Sequence, residues 1–178
     1  MVESIAEEKI KALAQTIQRR KTPFDITLEL TYRCNLNCVH CFCVENKKHQ
    51  ELSLSEIEDL LKQLADLGCL FVTFTGGEVL LRQDFFDIIK IAQDLHYLIR
   101  IFTNGTNITP EVADKIGYFS PIDIELSLYG TSPQTHERVT QVKGSFQRTY
   151  NALRLLKERG LNVWVKWMLM KDTISEHK

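Results

Sequence analysis

Asp25-Ile-Thr-Leu-Glu-Leu-Thr31 and Ile122-Asp-Ile-Glu-Leu-Ser-Leu128 are the two stretches that decide the fold. In the first, Ile26, Leu28 and Leu30 share one side of an extended chain, and Thr27, Glu29 and Thr31 share the other. The second sets Ile122, Ile124, Leu126 and Leu128 against Asp123, Glu125 and Ser127, and 162–169 puts Lys166 between Trp164 and Met168. Strands of a doubly wound sheet carry helices on both faces and read as apolar on both sides. A repeated polar face points instead to helices on one side and a wet cavity on the other, unless these residues are strand ends or edges.

Outward from these stretches, strands and helices alternate. Strand 25–31 is followed by a helix capped by Ser53 or Ser55, each with Glu56 or Glu58 three residues on, and closed by Gly68. Strand 69–75 precedes helix 82–95, and strand 98–103 precedes helix 110–117, with Thr109 as cap and Pro110 as first residue. Strand 122–128 leads to helix 145–159, strand 162–169 follows, and a last polar stretch begins a possible further helix. Before all of them, Ile5, Ala6, Ile10, Leu13 and Ile17 recur at helical spacing over 2–20, giving a cap for the barrel or a docking surface. Alternating elements imply parallel strands with right-handed crossovers. The expectation is an α/β fold, an incomplete open parallel (β/α) barrel of about five units. It forms one domain, 1–178, with 1–23 as a helical extension and 24–178 as the partial barrel. A closed eight-unit barrel takes about 250 residues.

Hydrophobic residues are 44% and charged residues 25% of the 178, which excludes a disordered or collagenous chain. A net charge of −1 supplies no field toward nucleic acid or an acidic membrane. No apolar run approaches the roughly 20 residues needed to cross a bilayer. The N-terminus lacks a secretory pattern, so a cytoplasmic protein is expected. Of five cysteines, Cys34, Cys38, Cys41 and Cys43 fall within ten residues. In a reducing compartment such crowding reads as metal ligation or redox chemistry.

The loop after the first strand reads Cys34-Asn-Leu-Asn-Cys38-Val-His-Cys41-Phe-Cys43. Three thiolates from one loop suit a [4Fe–4S] cluster with one iron left open. A closed zinc site is the alternative, with Cys43 or His40 as fourth ligand. The second strand ends in Thr75-Gly76-Gly77-Glu78: two glycines permit close backbone approach, and the carboxylate can accept from an ammonium group. In a parallel barrel both loops lie at the C-terminal strand ends, where ligands bind.

CxxxCxxC after strand one together with GGE after strand two resembles the radical SAM superfamily over about residues 24–170. The resemblance implies that Cys34, Cys38 and Cys41 hold a [4Fe–4S] cluster whose open iron is chelated by S-adenosylmethionine. It puts the methionine amine of that cosubstrate against Gly76, Gly77 and Glu78. One electron then cleaves the sulfonium to a 5′-deoxyadenosyl radical that abstracts hydrogen from a substrate. TGGEVLLRQDFFDI (75–88), FTNGT (102–106), SLYG (127–130) and KGSFQRTYNALRLLKERGLNV (143–163) resemble peptide and protein maturases with a SPASM-type extension. By that resemblance Ser127 touches ribose or carboxylate, Arg148 or Arg138 pairs with the carboxylate, and the main chain at Met168–Met170 lies beside the adenine. Asn104 and His40 join the cosubstrate-binding residues. A flavodoxin- or ferredoxin-like reductant and a peptide or protein substrate follow from the same likeness.

Val79 and Gln83 stand where that family often has prolines, five strands replace the usual six units, and no cysteine follows Cys69. A fragment of a longer enzyme is expected. Cys43 reads as a spare thiol and Cys69 as core; Glu29, Glu125 and Lys166 either contact substrate or pair with one another. The alternative functions are a radical SAM enzyme of haem- or pterin-type cofactor synthesis, a zinc-binding module without catalysis, and an inactive fragment.

Overall fold

Five strands, β1 (Asp25–Thr31), β2 (Phe71–Gly76), β3 (Leu98–Thr103), β4 (Asp123–Ser127) and β5 (Val163–Lys166), lie side by side in sequence order, and every neighbouring pair is parallel. This computed structural model describes residues 22–43, 50–171 and 173–176, with Glu8, Lys11, Ala12 and Gln15 of the N-terminal segment. Those four are helical. The rest of the helix expected over 2–20, and its capping or docking role, lie outside the described residues.

Register turns the alternation of each strand into continuous rows. Leu28, Phe74, Ile101, Ile124 and Val163 form an apolar row, and Thr27, Thr73, Arg100 and Asp123 form a polar one on the opposite face. The apolar face is covered by helices α1 (Leu54–Asp66), α2 (Phe85–Asp94), α3 (Pro110–Phe119) and α5 (Ser145–Glu158), which bury Ile57, Leu61, Phe85, Ile88, Ile116 and Leu156 among others. Each such side chain contributes about 1.5–3 kcal/mol of transfer free energy.

The polar face lines an open cavity of about 460 Å³. Its charges are paired: Arg100 lies 2.6 Å from Asp25 and 3.7 Å from Asp123, and Lys166 lies 2.9 Å from Glu125 and over the Phe102 ring. Trp164 Nε1–H donates to Asp123 at 2.9 Å. One-sided cover, as the strand patterns require, makes this an open, incomplete parallel barrel.

Several boundaries move. Ser53, not Ser55, caps α1, in a reciprocal capping box with Glu56. The helix expected from 82 begins at Phe85, because Glu78 caps a short 3-10 turn over Val79–Leu81 and Arg82 is buried. The Arg82 guanidinium pairs with Asp84 at 2.7 Å and donates to the Leu30 and Leu52 carbonyls at 2.8 and 2.6 Å. β2 starts at Phe71 because the N–H groups of Leu70 and Phe71 both turn to the Phe24 carbonyl. β5 ends at Lys166, well short of 169, and the last polar stretch forms only a 3-10 turn, Ile174–Glu176.

One helix has no counterpart in the sequence analysis: α4 (Pro133–Thr140), capped by Ser132, whose buried residues are Thr135, His136, Val139 and Thr140. That face carries one apolar side chain, so no apolar stripe announces it. His136 is fully buried; its Nδ1 accepts the Tyr129 backbone N–H at 3.1 Å, and its ring stacks on Tyr129. Accepting at Nδ1 requires the proton on Nε2, which has no partner among the described residues.

Burial pushes the His136 imidazole down to about 4 from 6.5. Between those two pH values the unfolded chain binds a proton that the folded chain refuses, so stability falls as pH drops from 6.5 toward 4, by up to ~3 kcal/mol. Denaturant titrations at pH 7 and pH 4.5 check this: His136→Gln is expected to lose less than half as much stability across that interval as the parent chain.

Candidate functional site

The cysteine loop leaves the C-terminal end of β1 and is fastened along its length. Cys41 N–H donates to the Cys38 carbonyl at 3.0 Å, which curls the loop, while Asn37 and Val39 N–H donate to the Thr140 and Val139 carbonyls at 3.0 and 2.9 Å. These last two are carbonyls at the end of α4, where a helix leaves its acceptors unsatisfied. At the loop's start, Arg33 pairs with Glu51 at 3.0 Å, and the Thr31 hydroxyl donates to the same carboxylate.

The Gly76-Gly77 turn lies flat against this loop. Gly77 N–H donates to the Thr31 carbonyl at 2.7 Å and Glu78 N–H to the Arg33 carbonyl at 2.8 Å. A Cβ on Gly76 would fall well under 3.0 Å from the Thr31 carbonyl oxygen, and one on Gly77 equally close to that of Arg33; Gly76 also has φ +144°. Only glycine fits both positions.

Cys34, Cys38 and Cys41 are half-buried free thiols. Burial first, then the charges of Cys34 and Cys41, pushes the Cys38 thiol up to about 12; burial likewise raises Cys34, with Glu78 and Cys41 adding to it. The three sulfurs are therefore close enough to oppose one another's ionisation, and a cationic iron–sulfur core is the kind of group that relieves this opposition. Among the described residues no three His, Cys, Asp or Glu side chains make a ready single-ion cage. Cys43 is buried, its thiol pushed up to about 11 chiefly by burial, with the neighbouring charge of Cys41 adding to it. Cys69 belongs to the core.

The Glu78 side chain is turned inward. It is 1% exposed, and its carboxylate accepts from the Thr103 hydroxyl at 2.7 Å, Asn104 N–H at 2.7 Å and Leu80 N–H at 3.1 Å. Burial raises its pKa while these three donors oppose the rise. These internal donors clamp the end of β2 to the end of β3.

Asn104 stands at that junction, its amide between Asn35 and the Cys34 sulfur. His40 sets its ring edge-on against Tyr129, centroids 4.8 Å apart, with Nδ1 buried and unpartnered among the described residues. Ser127 stands at the end of β4, two residues before Tyr129. The ends of β1, β2, β3 and β4 thus bring together the cysteines, Gly76, Gly77, Glu78, Asn104, His40 and Ser127. Arg148 on α5 and Arg138 on α4 are exposed, and among the described residues neither guanidinium bonds to the loop. The Met168 and Met170 carbonyls accept from Thr173. Glu125 pairs with Lys166, and Glu29 with the Tyr32 phenol.

Tyr129 was not singled out from sequence. It is 9% exposed, and burial, with the charges of all three cysteines adding, pushes its phenol up to about 12. It is a wall of the cysteine site, two residues past the end of β4 and inside the SLYG stretch, whose resemblance carries no role for this residue.

Comparison with known proteins agrees with this geometry. Mycofactocin maturase MftC of Mycolicibacterium smegmatis is 37% identical over 139 residues, 78% of this chain and 35% of that protein. An AdoMet-dependent heme synthase of Methanosarcina barkeri is 29% identical over 162 residues, 90% of this chain and 46% of the relative. The chain thus spans between a third and a half of the length of these relatives. Among solved structures, Streptococcus suis SuiB bound to its precursor peptide SuiA superposes with a TM-score of 0.75 at 19% identity, covering 95% of this chain and 39% of SuiB. SuiB bound to S-adenosylmethionine gives 0.76 at 18% identity, over 95% and 41% of the two chains. These structures share the fold. The family model of the Radical SAM superfamily matches residues 28–177, from within β1 to beyond β5, and the chain belongs to that superfamily.

Proposed function

We propose that this chain is the core of a radical SAM enzyme that modifies a side chain of a peptide or protein. Cys34, Cys38 and Cys41 hold a [4Fe–4S] cluster, and the Gly76-Gly77 turn receives the methionine end of S-adenosylmethionine. The observation that carries the reading is the interlock of the thiol loop with the double-glycine turn, which leaves room for backbone and none for a side chain. Held there, such a cluster would supply the electron for the radical chemistry on S-adenosylmethionine that gives the superfamily its name.

The chain's own residues position and shield. Glu78 braces the end of β2 from within, beside the turn that would receive the amine. The Tyr129 ring, with His40 packed edge-on against it, stands beside the half-buried cysteine loop, where keeping water out would strengthen every electrostatic interaction. Ser127 is the hydroxyl available to a ribose. The maturase relatives, and the precursor peptide in the SuiB structure, favour a peptide substrate. The heme synthase relative supports a second reading, a porphyrin-type substrate. A flavodoxin- or ferredoxin-type reductant in the cytoplasm completes the proposal, with neither nucleic acid nor membrane as partner.

Anaerobic reconstitution with iron and sulfide tests the cluster: about four irons per chain are expected, and Cys34→Ala, Cys38→Ala and Cys41→Ala together are expected to remove them. Iron content unaltered by the triple substitution would end the assignment. Dithionite-reduced protein should release methionine and 5′-deoxyadenosine from S-adenosylmethionine.

Gly77→Ala forces backbone apart where the loop and the turn touch. It is expected to lower stability by about 2–3 kcal/mol, read by denaturant unfolding, and to weaken S-adenosylmethionine binding measured by calorimetry. Glu78→Gln turns an amide N–H₂ toward internal donors; its expected cost is also about 2–3 kcal/mol.

A further inference from the structure

Asn104 is a buried polar side chain, 7% exposed, whose orientation is fixed by its partners. The Thr106 backbone N–H can only donate, and it reaches Asn104 Oδ1 at 2.9 Å; the Thr106 hydroxyl donates to the same oxygen at 2.6 Å. The amide nitrogen must therefore face the other way. Of its two hydrogens, one goes to Asn35 Oδ1 at 2.9 Å and the other to Cys34 Sγ at 3.8 Å. Asn35 Nδ2 donates back to the Thr106 hydroxyl at 2.8 Å, so the bonds close into a directed ring.

The main chain of Asn104 is held as firmly. Its N–H donates to Glu78 Oε2 at 2.7 Å, and its carbonyl accepts from the buried Thr149 hydroxyl at 2.8 Å. Cys34 Sγ also receives the Leu36 N–H at 3.4 Å. Among the described residues no other side-chain N–H reaches a sulfur of the loop. Glu78 of the double-glycine motif thus acts on the cysteine site through Asn104.

We infer that Asn104 is a positioning residue whose amide N–H, aimed at the Cys34 sulfur, raises the reduction potential of the cluster and makes the Cys34 corner distinct from those of Cys38 and Cys41. The inference rests on the cluster reading above. Reduction adds negative charge that spreads onto the ligand sulfurs, and a donor held against one of them stabilises the reduced state more than the oxidised one. The donor is set by a rigid network in advance, so little reorganisation accompanies electron entry.

The test is an EPR-monitored redox titration of the anaerobically reconstituted full chain, parent against Asn104→Ala and Asn104→Asp. The second variant keeps the acceptor for Thr106 and replaces the N–H₂ by a carboxylate oxygen. At a fixed poise near the parent midpoint, the reduced-to-oxidised ratio is expected to fall about threefold or more in Asn104→Ala, and further in Asn104→Asp. Iron content should stay at the parent value. A parent-like potential in either iron-loaded variant overturns the inference and leaves the cluster reading standing. If both variants fail to fold or load, Thr106→Val decides, because it loosens the amide without touching Asn104: a lowered ratio supports the inference and an unchanged one overturns it. A parent chain that takes up no iron overturns the cluster reading and this inference together.

Discussion

Two carbonyls set the terms for the rest of the molecule. Those of Thr31 and Arg33, where β1 runs out into the cysteine loop, receive the N–H groups of Gly77 and Glu78 at distances that forbid any side chain on Gly76 or Gly77. Two parallel strands are thereby continued into two loops as if the sheet had not ended. The sulfurs and the turn inherit the rigidity of the sheet, and a site built on strand ends is positioned more exactly than one on free loops. Glu78, Asn104 and Arg82 extend the same logic sideways and downward, tying β2 to β3 and the following 3-10 turn to β1.

The sheet itself is lopsided in a way that serves this end. Its helix-covered face is a conventional apolar core, while the other face holds Arg100 between two carboxylates and Lys166 against Glu125 and Phe102. Partly exposed ion pairs of this sort contribute little to stability. Their value lies in keeping a concave surface wet, open and polar below the sulfurs, where a packed core would leave no room for another molecule.

Much of this was legible in the sequence, and the parts that were not share a cause. Strand periodicity at Asp25–Thr31 and Ile122–Leu128 identified which face is covered, since burial on one side leaves a period-two signature. The capping box at Ser53 and the Thr109-Pro110 start are local rules, read from neighbours in the chain. Helix α4 escaped because its buried face carries Thr135, His136 and Thr140 beside a single apolar residue, Val139, so no apolar stripe marks it. Two of the internal partners of Glu78, the Thr103 hydroxyl and the Asn104 N–H, come from the next strand end and left no mark in the sequence. Arg82 and Tyr129 were missed for the same reason: long-range partners leave no periodic trace.

The bonds from Asn37 and Val39 to the end of α4 bear on how the protein comes into being. A ribosome delivers the cysteines about a hundred residues before it delivers Val139 and Thr140. Strands in sequence order let each βα unit settle on the one before it, so the scaffold can grow as it emerges. The thiol loop cannot take its final curl until the fourth helix is out. The frame that orders the three sulfurs is therefore complete only when the chain has been made as far as residue 140.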